Sequence, residues 1–387
     1  MMHCDFDRTI DRRHSDSAKW CRYEEDVLPL WVADMDFAAP PAVIDALRER
    51  VHHGVFGYCR QPSELNEVIQ ARLAQLYDWR VRAEDIFLIP GVMRGVNLAC
   101  HAVGQPGDDI MVEPPVYTPL LLAPANAQRQ CVTVPLIEES RRYTHDFDAL
   151  EQAVTQHTSM VLLCNPHNPV GRVFDQAELT QLAEICLRHN LIICTDEIHG
   201  DIIYEGHRHI PIASLDPEIA QRTITFFAPS KTYNIAGLSC SVGVVQNPDL
   251  RAQLEAARGG LVSNVNVLGL TAMLAAYTDG PDWLDSLLHY LQGNRDYLHQ
   301  EISEHMPTIG CSPVEGTFLA WLDCRDSGIQ INPHTFFLER ARVALNDGAG
   351  FGEGGEGFVR LNFGCPRATL IEALRRMRAA METIQRP

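Results

Sequence analysis

Lysine is nearly missing from this chain. Of 387 residues, 32 are Lys or Arg, yet only Lys19 and Lys231 are lysine. An arginine-favouring composition accounts for the surface, where any solvated cation serves. It does not account for Lys231, which follows the apolar run 223–228 in the stretch FFAPSKTYNIAG. One chemical role excludes arginine. A guanidinium stays protonated in a protein, whereas an amine can lose its proton and condense with a carbonyl. Lys231 is therefore a candidate imine-forming lysine.

Other absences narrow the function. Positive charge is in deficit, with a formal net charge of −18, which argues against nucleic acid and anionic membrane surfaces as main partners. No apolar run approaches the roughly 20 residues that span a bilayer. The opening MMHCDFDRTIDRRHSD has no apolar core, so a secretory signal is not expected. The 12 cysteines include no Cys-x-x-Cys pair and no framework spacing, as expected of reduced, mostly buried thiols in a cytoplasmic protein. His207 and His209 near Asp201 fit no standard zinc pattern and read as a polar surface turn, so no metal is expected. The run Gly352 to Gly357 matches G-x-G-x-x-G, but it leads into a strand and carries Glu353 and Glu356, which would repel a pyrophosphate. It reads as a solvated loop.

What is present is alternation. Between about 85 and 245, short apolar runs alternate with helical stretches: strands at 86–89, 110–112, 159–164, 191–195 and 223–227. A helix follows Gly91, and another opens at Asp175 as N-cap, with Leu179, Leu182, Ala183 and Cys186 on one face. Continuous β-rich runs separated by helices predict an α/β fold with a mostly parallel sheet covered on both faces. The last hundred residues differ, with strands at 318–322 and 358–363 and a terminal helix striped by Leu370, Leu374, Met377 and Met381. A large domain is expected over 46–285, and a smaller α+β domain over 1–45 and 286–387.

In an open α/β sheet, ligands bind beyond the C-terminal ends of the strands. Four polar features fall there. Gly91, with Val92 and Met93, opens a helix whose N–H groups can hold a phosphate. Asn168 lies in CNPHNPVG after strand 159–164, Asp196 ends strand 191–195, and Lys231 follows strand 223–227. Singly each has a plain structural explanation, as a cap, an Asx-Pro turn or an ion-pair partner. Together they match the needs of pyridoxal phosphate: a lysine for the aldehyde, an acid for the pyridine nitrogen, and donors for the ring hydroxyl and phosphate.

The motifs LPLWVADMDF at 28–37, VFGY at 55–58, PPVY at 114–117, NPHNPVGRV at 165–173, TDEIH at 195–199, SKTYNIAG at 230–237 and VRLNFG at 359–364 cover nearly the whole chain. With them the sequence resembles the fold-type I pyridoxal phosphate enzymes of the class I/II aminotransferase superfamily, and within these the MalY/PatB-type cystathionine β-lyases (C–S lyases). The resemblance implies a seven-stranded large-domain sheet. It implies that Lys231 binds the cofactor aldehyde and then shuttles the proton. Asp196 would pair with the pyridinium, Asn168 with the ring hydroxyl, and Tyr117 would stack on the ring. His199 and Ser230 would complete the cofactor site with Gly91, Val92 and Met93. Arg360 would grip the substrate carboxylate, and Ala33 and Asp34 would also bind the substrate. Tyr58 would reach across a homodimer interface towards the phosphate, giving shared active sites.

His199 stands where aminotransferases of this fold carry tyrosine, and Ser239 where they carry a phosphate-binding arginine. Both departures look like the lyase branch. One departure runs the other way: Arg94 follows Val92-Met93, where the resemblance leads us to expect proline. The implied reaction is α,β-elimination of L-cystathionine or a related S-substituted cysteine to a thiol, pyruvate and ammonia. Two other readings of the same residues stand: an aminotransferase, and a pyridoxal phosphate-binding protein with a regulatory role.

Overall fold

The computed structural model describes residues 5–260 and 262–384. Its large sheet has seven strands: β1 (Ile86–Ile89), β2 (Asp109–Val112), β3 (Gln130–Thr133), β4 (Thr158–Cys164), β5 (Ile192–Asp196), β6 (Thr223–Phe227) and β7 (Ser241–Val244). Across the sheet they lie in the order β1-β7-β6-β5-β4-β2-β3. Neighbours pair in parallel from β6 through to β3, whereas β7 runs antiparallel to both β6 and β1. This is the mostly parallel α/β sheet expected. Two of its strands, β3 and β7, were not legible as strands. QCVT is half exposed at the sheet edge, and SVGV carries a glycine whose missing Cβ makes room for the Phe87 ring.

The continuous apolar runs follow from burial on both faces. Along β4, Met160, Leu162 and Cys164 join one core, with Val92, Val96 and Leu98 of the helix α1 (Val92–Ala102). The intervening Val161 and Leu163 join another, with Leu179 and Leu182 of α2 (Gln176–Arg188). Successive strand residues point to opposite faces, so a strand buried on both sides has no polar positions to alternate. α2 begins where its sequence says it should. Asp175 accepts from the Glu178 N–H at 2.9 Å, and Glu178 accepts from the Asp175 N–H at 2.8 Å, a reciprocal cap. α1 lies close on β6 because residue 95 is glycine: a Cβ there would sit 2.4 Å from the Phe226 ring.

After β7 the chain enters α3 (Val267–Asp279) and α4 (Pro281–His305). α4 runs unbroken through the expected boundary at 285–286, and helix Pro41–His53 runs through the one at 45–46. A second sheet of four antiparallel strands follows, ordered β8 (Gly310–Cys311), β9 (Leu319–Asp323), β11 (Phe358–Asn362), β10 (Asn346–Asp347). The closing helix α5 (Arg367–Glu382) buries Leu370, Leu374, Met377 and Met381, the stripe seen in the sequence. From the N-terminal side, Leu28–Pro29 pairs with Val343–Ala344. The segment that follows, 31–37, is thereby led between the second sheet and the strand ends of the first.

Candidate active site

A cavity of about 390 Å³ opens at the C-terminal ends of the large-sheet strands. Lys231, Asp196, Asn168, Tyr117, His199 and Arg360 all line it. So do Gly91, Val92, Met93, Ser230 and Ala33. Residues up to 329 positions apart in sequence thus meet, because parallel strands deliver their C-terminal ends to one edge.

Burial sets the electrostatics. Lys231 sits in the short helix Pro229–Thr232 and is half-buried; its Nζ donates to the Ala33 carbonyl at 2.6 Å. Desolvation brings its amine down to about 8, assisted by the nearby Arg360 cation and opposed by Asp34 and Asp196. Asp196 is buried and accepts the Ile198 N–H at 3.0 Å. Burial raises its carboxyl to about 6, against that hydrogen bond and the Lys231 charge. A buried carboxylate of this kind is stabilised by a cation placed against it. Burial, with Lys231 and Arg360 nearby, pushes the His199 imidazole far below its usual range, so it is neutral, and its Nδ1 has no hydrogen-bond partner among the described residues.

Arg360 is buried without a carboxylate partner among the described residues. Its Nη1 donates to Asn168 Oδ1 at 3.0 Å, and its Nη2 to the Trp31 carbonyl at 2.9 Å and to Asn346 Oδ1. Its Nε has no partner among the described residues. Burial lowers this guanidinium to about 10, and a buried cation is stabilised by an anion placed against it. Asn346 was not foreseen. It reaches the cavity through β-pairing with Arg360, a register that nothing in its own neighbourhood announces.

Also on the cavity wall, Gly91 has φ +119° and α1 begins with no side-chain cap, leaving the first-turn N–H groups of Val92 and Met93 to a ligand. Ser230 and Ser239 also line the cavity. Arg94 does not. Its guanidinium turns back onto the Pro90 carbonyl.

Two expected residues lie elsewhere. Tyr58 is fully exposed, beside exposed Val55 and Phe56. Asp34 turns its carboxylate to Arg12, at 2.8 Å, and does not line the cavity. The surface turn expected at His209 is corrected. His209 is buried, with Nε2 2.9 Å from Glu197 Oε2, because Glu197 is itself buried beside Asp196 and needs a partner. His207 is exposed as expected.

These groups suit pyridoxal phosphate. An uncapped helix N-terminus and hydroxyls could take the phosphate, a buried carboxylate the pyridinium, an amine the aldehyde, and a flat Tyr117 the ring face. Asn168, whose Oδ1 is engaged by Arg360, keeps its amide N–H groups to offer. The unpartnered atoms of Arg360 and His199 are what a missing polar ligand leaves behind.

Comparison with known proteins agrees with this reading. The family model for aminotransferase class I and II matches residues 25–377. Cystathionine beta-lyase PatB of Bacillus subtilis is 38% identical over 385 residues, covering 97% of this chain and 99% of that protein. Protein MalY of Escherichia coli K12 is 33% identical, covering 97% and 100%. The crystal structure of cystalysin from Treponema denticola, which contains a pyridoxal 5'-phosphate cofactor, superposes with a TM-score of 0.95 at 32% identity, covering 99% and 100%. The chain belongs to the class I and II aminotransferase family, in its MalY/PatB-type branch.

Proposed function

We propose that this chain is a pyridoxal phosphate-dependent C–S lyase that carries out α,β-elimination on L-cystathionine or a related S-substituted L-cysteine. The observation that carries the reading is one cavity lined by both a lysine of lowered basicity and an arginine with no carboxylate partner among the described residues. Its lyase character is supported by His199 and Ser239 on the cavity wall and by cystathionine β-lyases among the relatives.

When bound, the cofactor supplies a sink for the electron pair left at the substrate Cα. The chain supplies the rest. Arg360 grips the α-carboxylate, with Asn346 and the Trp31 carbonyl fixing the plane of its guanidinium. Lys231 would hold the cofactor aldehyde and, with its amine free, would take the Cα proton as a base. Asp196 would keep a proton on the pyridine nitrogen by staying ionised against it. Tyr117 and the Asn168 amide would hold the ring, and the α1 N-terminus with Ser230 would hold the phosphate. The Cβ–S bond breaks, the thiolate leaves, and addition of water to the remaining three-carbon fragment gives pyruvate and ammonia.

We also infer a homodimer. The apolar, exposed arm at Val55, Phe56 and Tyr58 supports it, with Tyr58 directed into the site of a second copy. A cytoplasmic location is supported by the free state of the eleven cysteines among the described residues. No described helix is long and apolar enough to cross a membrane.

Three outcomes are expected. Purified protein should release pyruvate from L-cystathionine with no keto acid added, and Lys231→Ala should not. Turnover only after a keto acid is supplied would make this an aminotransferase. The base works when unprotonated, and burial has moved the free Lys231 amine down from 10.5 to about 8; that amine is released only once substrate is bound, so kcat should climb as pH rises through about 8 and level off above it. A limb at 10 or higher would mean an ordinary solvated lysine. Light scattering should give twice the mass of one chain. A monomer that turns over normally would refute the shared site.

A further inference from the structure

The chain's other lysine is as unusual as Lys231. Lys19 is fully buried, although it lies in a charged N-terminal stretch. Its Nζ donates to Asp36 Oδ2 at 2.7 Å and to the Asp34 carbonyl at 3.1 Å, and stands 3.7 Å from Asp34 Oδ1. Arg12 closes the same cluster, 2.8 Å from Asp34 and 2.7 Å from Asp36, and its Nη1 also donates to the Met35 carbonyl. Trp20 Nε1 donates to Asp36 Oδ1 at 2.7 Å. Two cations and two carboxylates therefore balance within a few ångströms. All of them are tied to residues 34–36, immediately after Ala33, whose carbonyl receives Lys231.

Both lysines of the chain thus converge on one short stretch of backbone. That stretch belongs to no sheet, so its carbonyls depend on side-chain donors. An ammonium suits position 19 because it is compact and can serve a carbonyl and a carboxylate at once, where a planar guanidinium fork needs more room. Removing one member of such a largely buried set leaves a net charge beside the backbone that receives the reacting amine.

We propose that Lys19 and Asp36, with Arg12 and Asp34, form a positioning cluster for Lys231: they hold the 33–36 backbone that receives its amine, and their balance of charge sets how readily that amine gives up its proton. The inference deepens the reading of Lys231 as the reacting amine. It is tested on the lysine itself, so its failure is distinct from failure of the lyase assay.

The field of Asp34 already acts on the Lys231 amine. The other titratable or charged groups around that amine are Asp196, His199, Cys164, Tyr117 and Arg360, and around the cluster Cys365. None of these is altered in the test. Because the chain has two lysines, protein labelled with ¹³C at lysine Cε gives two side-chain signals, and Lys19→Met leaves one. The full chain, freed of cofactor, is titrated by NMR. Lys19→Met removes a positive charge, favours the protonated amine, and should raise the Lys231 midpoint. Asp36→Asn removes a negative charge and should lower it. Each shift should be on the order of one pH unit, the effect of a unit charge roughly 10 Å away at an effective dielectric near 20. The double variant should return towards the parent value.

Loss of packing alone would move both single variants the same way. Shifts in one direction, or no shift in either, would overturn the proposal. Should Lys19→Met fail to fold, Arg12→Met removes the same charge from a less buried position and should raise the midpoint likewise.

Discussion

The backbone of residues 31–37 is where the two sheets of this protein are joined into one site. The carbonyls of Trp31 to Met35, and that of Phe37, each accept from a side chain: Arg360, Asn362, Lys231, Lys19, Arg12 or Asn234. Asn234 also accepts from the Met35 N–H at 3.0 Å, and the Asp36 N–H donates to the Gly364 carbonyl. Donors from the N-terminal segment, the loop after α-helix 229–232 and the second sheet all close on this strap. Without it, Arg360 would lose the Trp31 carbonyl that helps to orient it, and Lys231 would lose its only hydrogen-bond acceptor among the described residues.

Burial does the electrostatic tuning on this frame. It lowers Lys231 and Arg360 and raises Asp196, and in each case desolvation is the largest cause. A charge taken out of water and left without a full partner is one prepared for a ligand of opposite sign. The same logic explains His209. The side chain of Glu197, one residue beyond Asp196, is buried, and His209 is the partner that burial requires.

Much of this was legible in the sequence, for identifiable reasons. Lys231 stood out because arginine cannot do its chemistry in a chain that otherwise uses arginine. Asp196 and Asn168 stood out because uninterrupted apolar runs end just before them, and parallel strands expose their C-terminal ends together. The illegible parts depend on long-range pairing. Asn346 enters the cavity only through its register with Arg360, β7 is a four-residue strand of small side chains, and the burial of Lys19 requires the strap it grips. Arg94, which looked out of place in the phosphate turn, folds back on its own loop at Pro90. Its sequence position carried no information about that direction.

The most direct test of the central claim is chemical trapping. The cofactor-loaded protein is treated with borohydride, which reduces an imine to a stable amine, and is then digested for peptide mass analysis. The expected result is a pyridoxyl phosphate adduct on the peptide containing Lys231 and none on the peptide containing Lys19. An adduct on Lys19, or a cofactor retained with neither lysine modified, would contradict the assignment of Lys231 as the reacting amine.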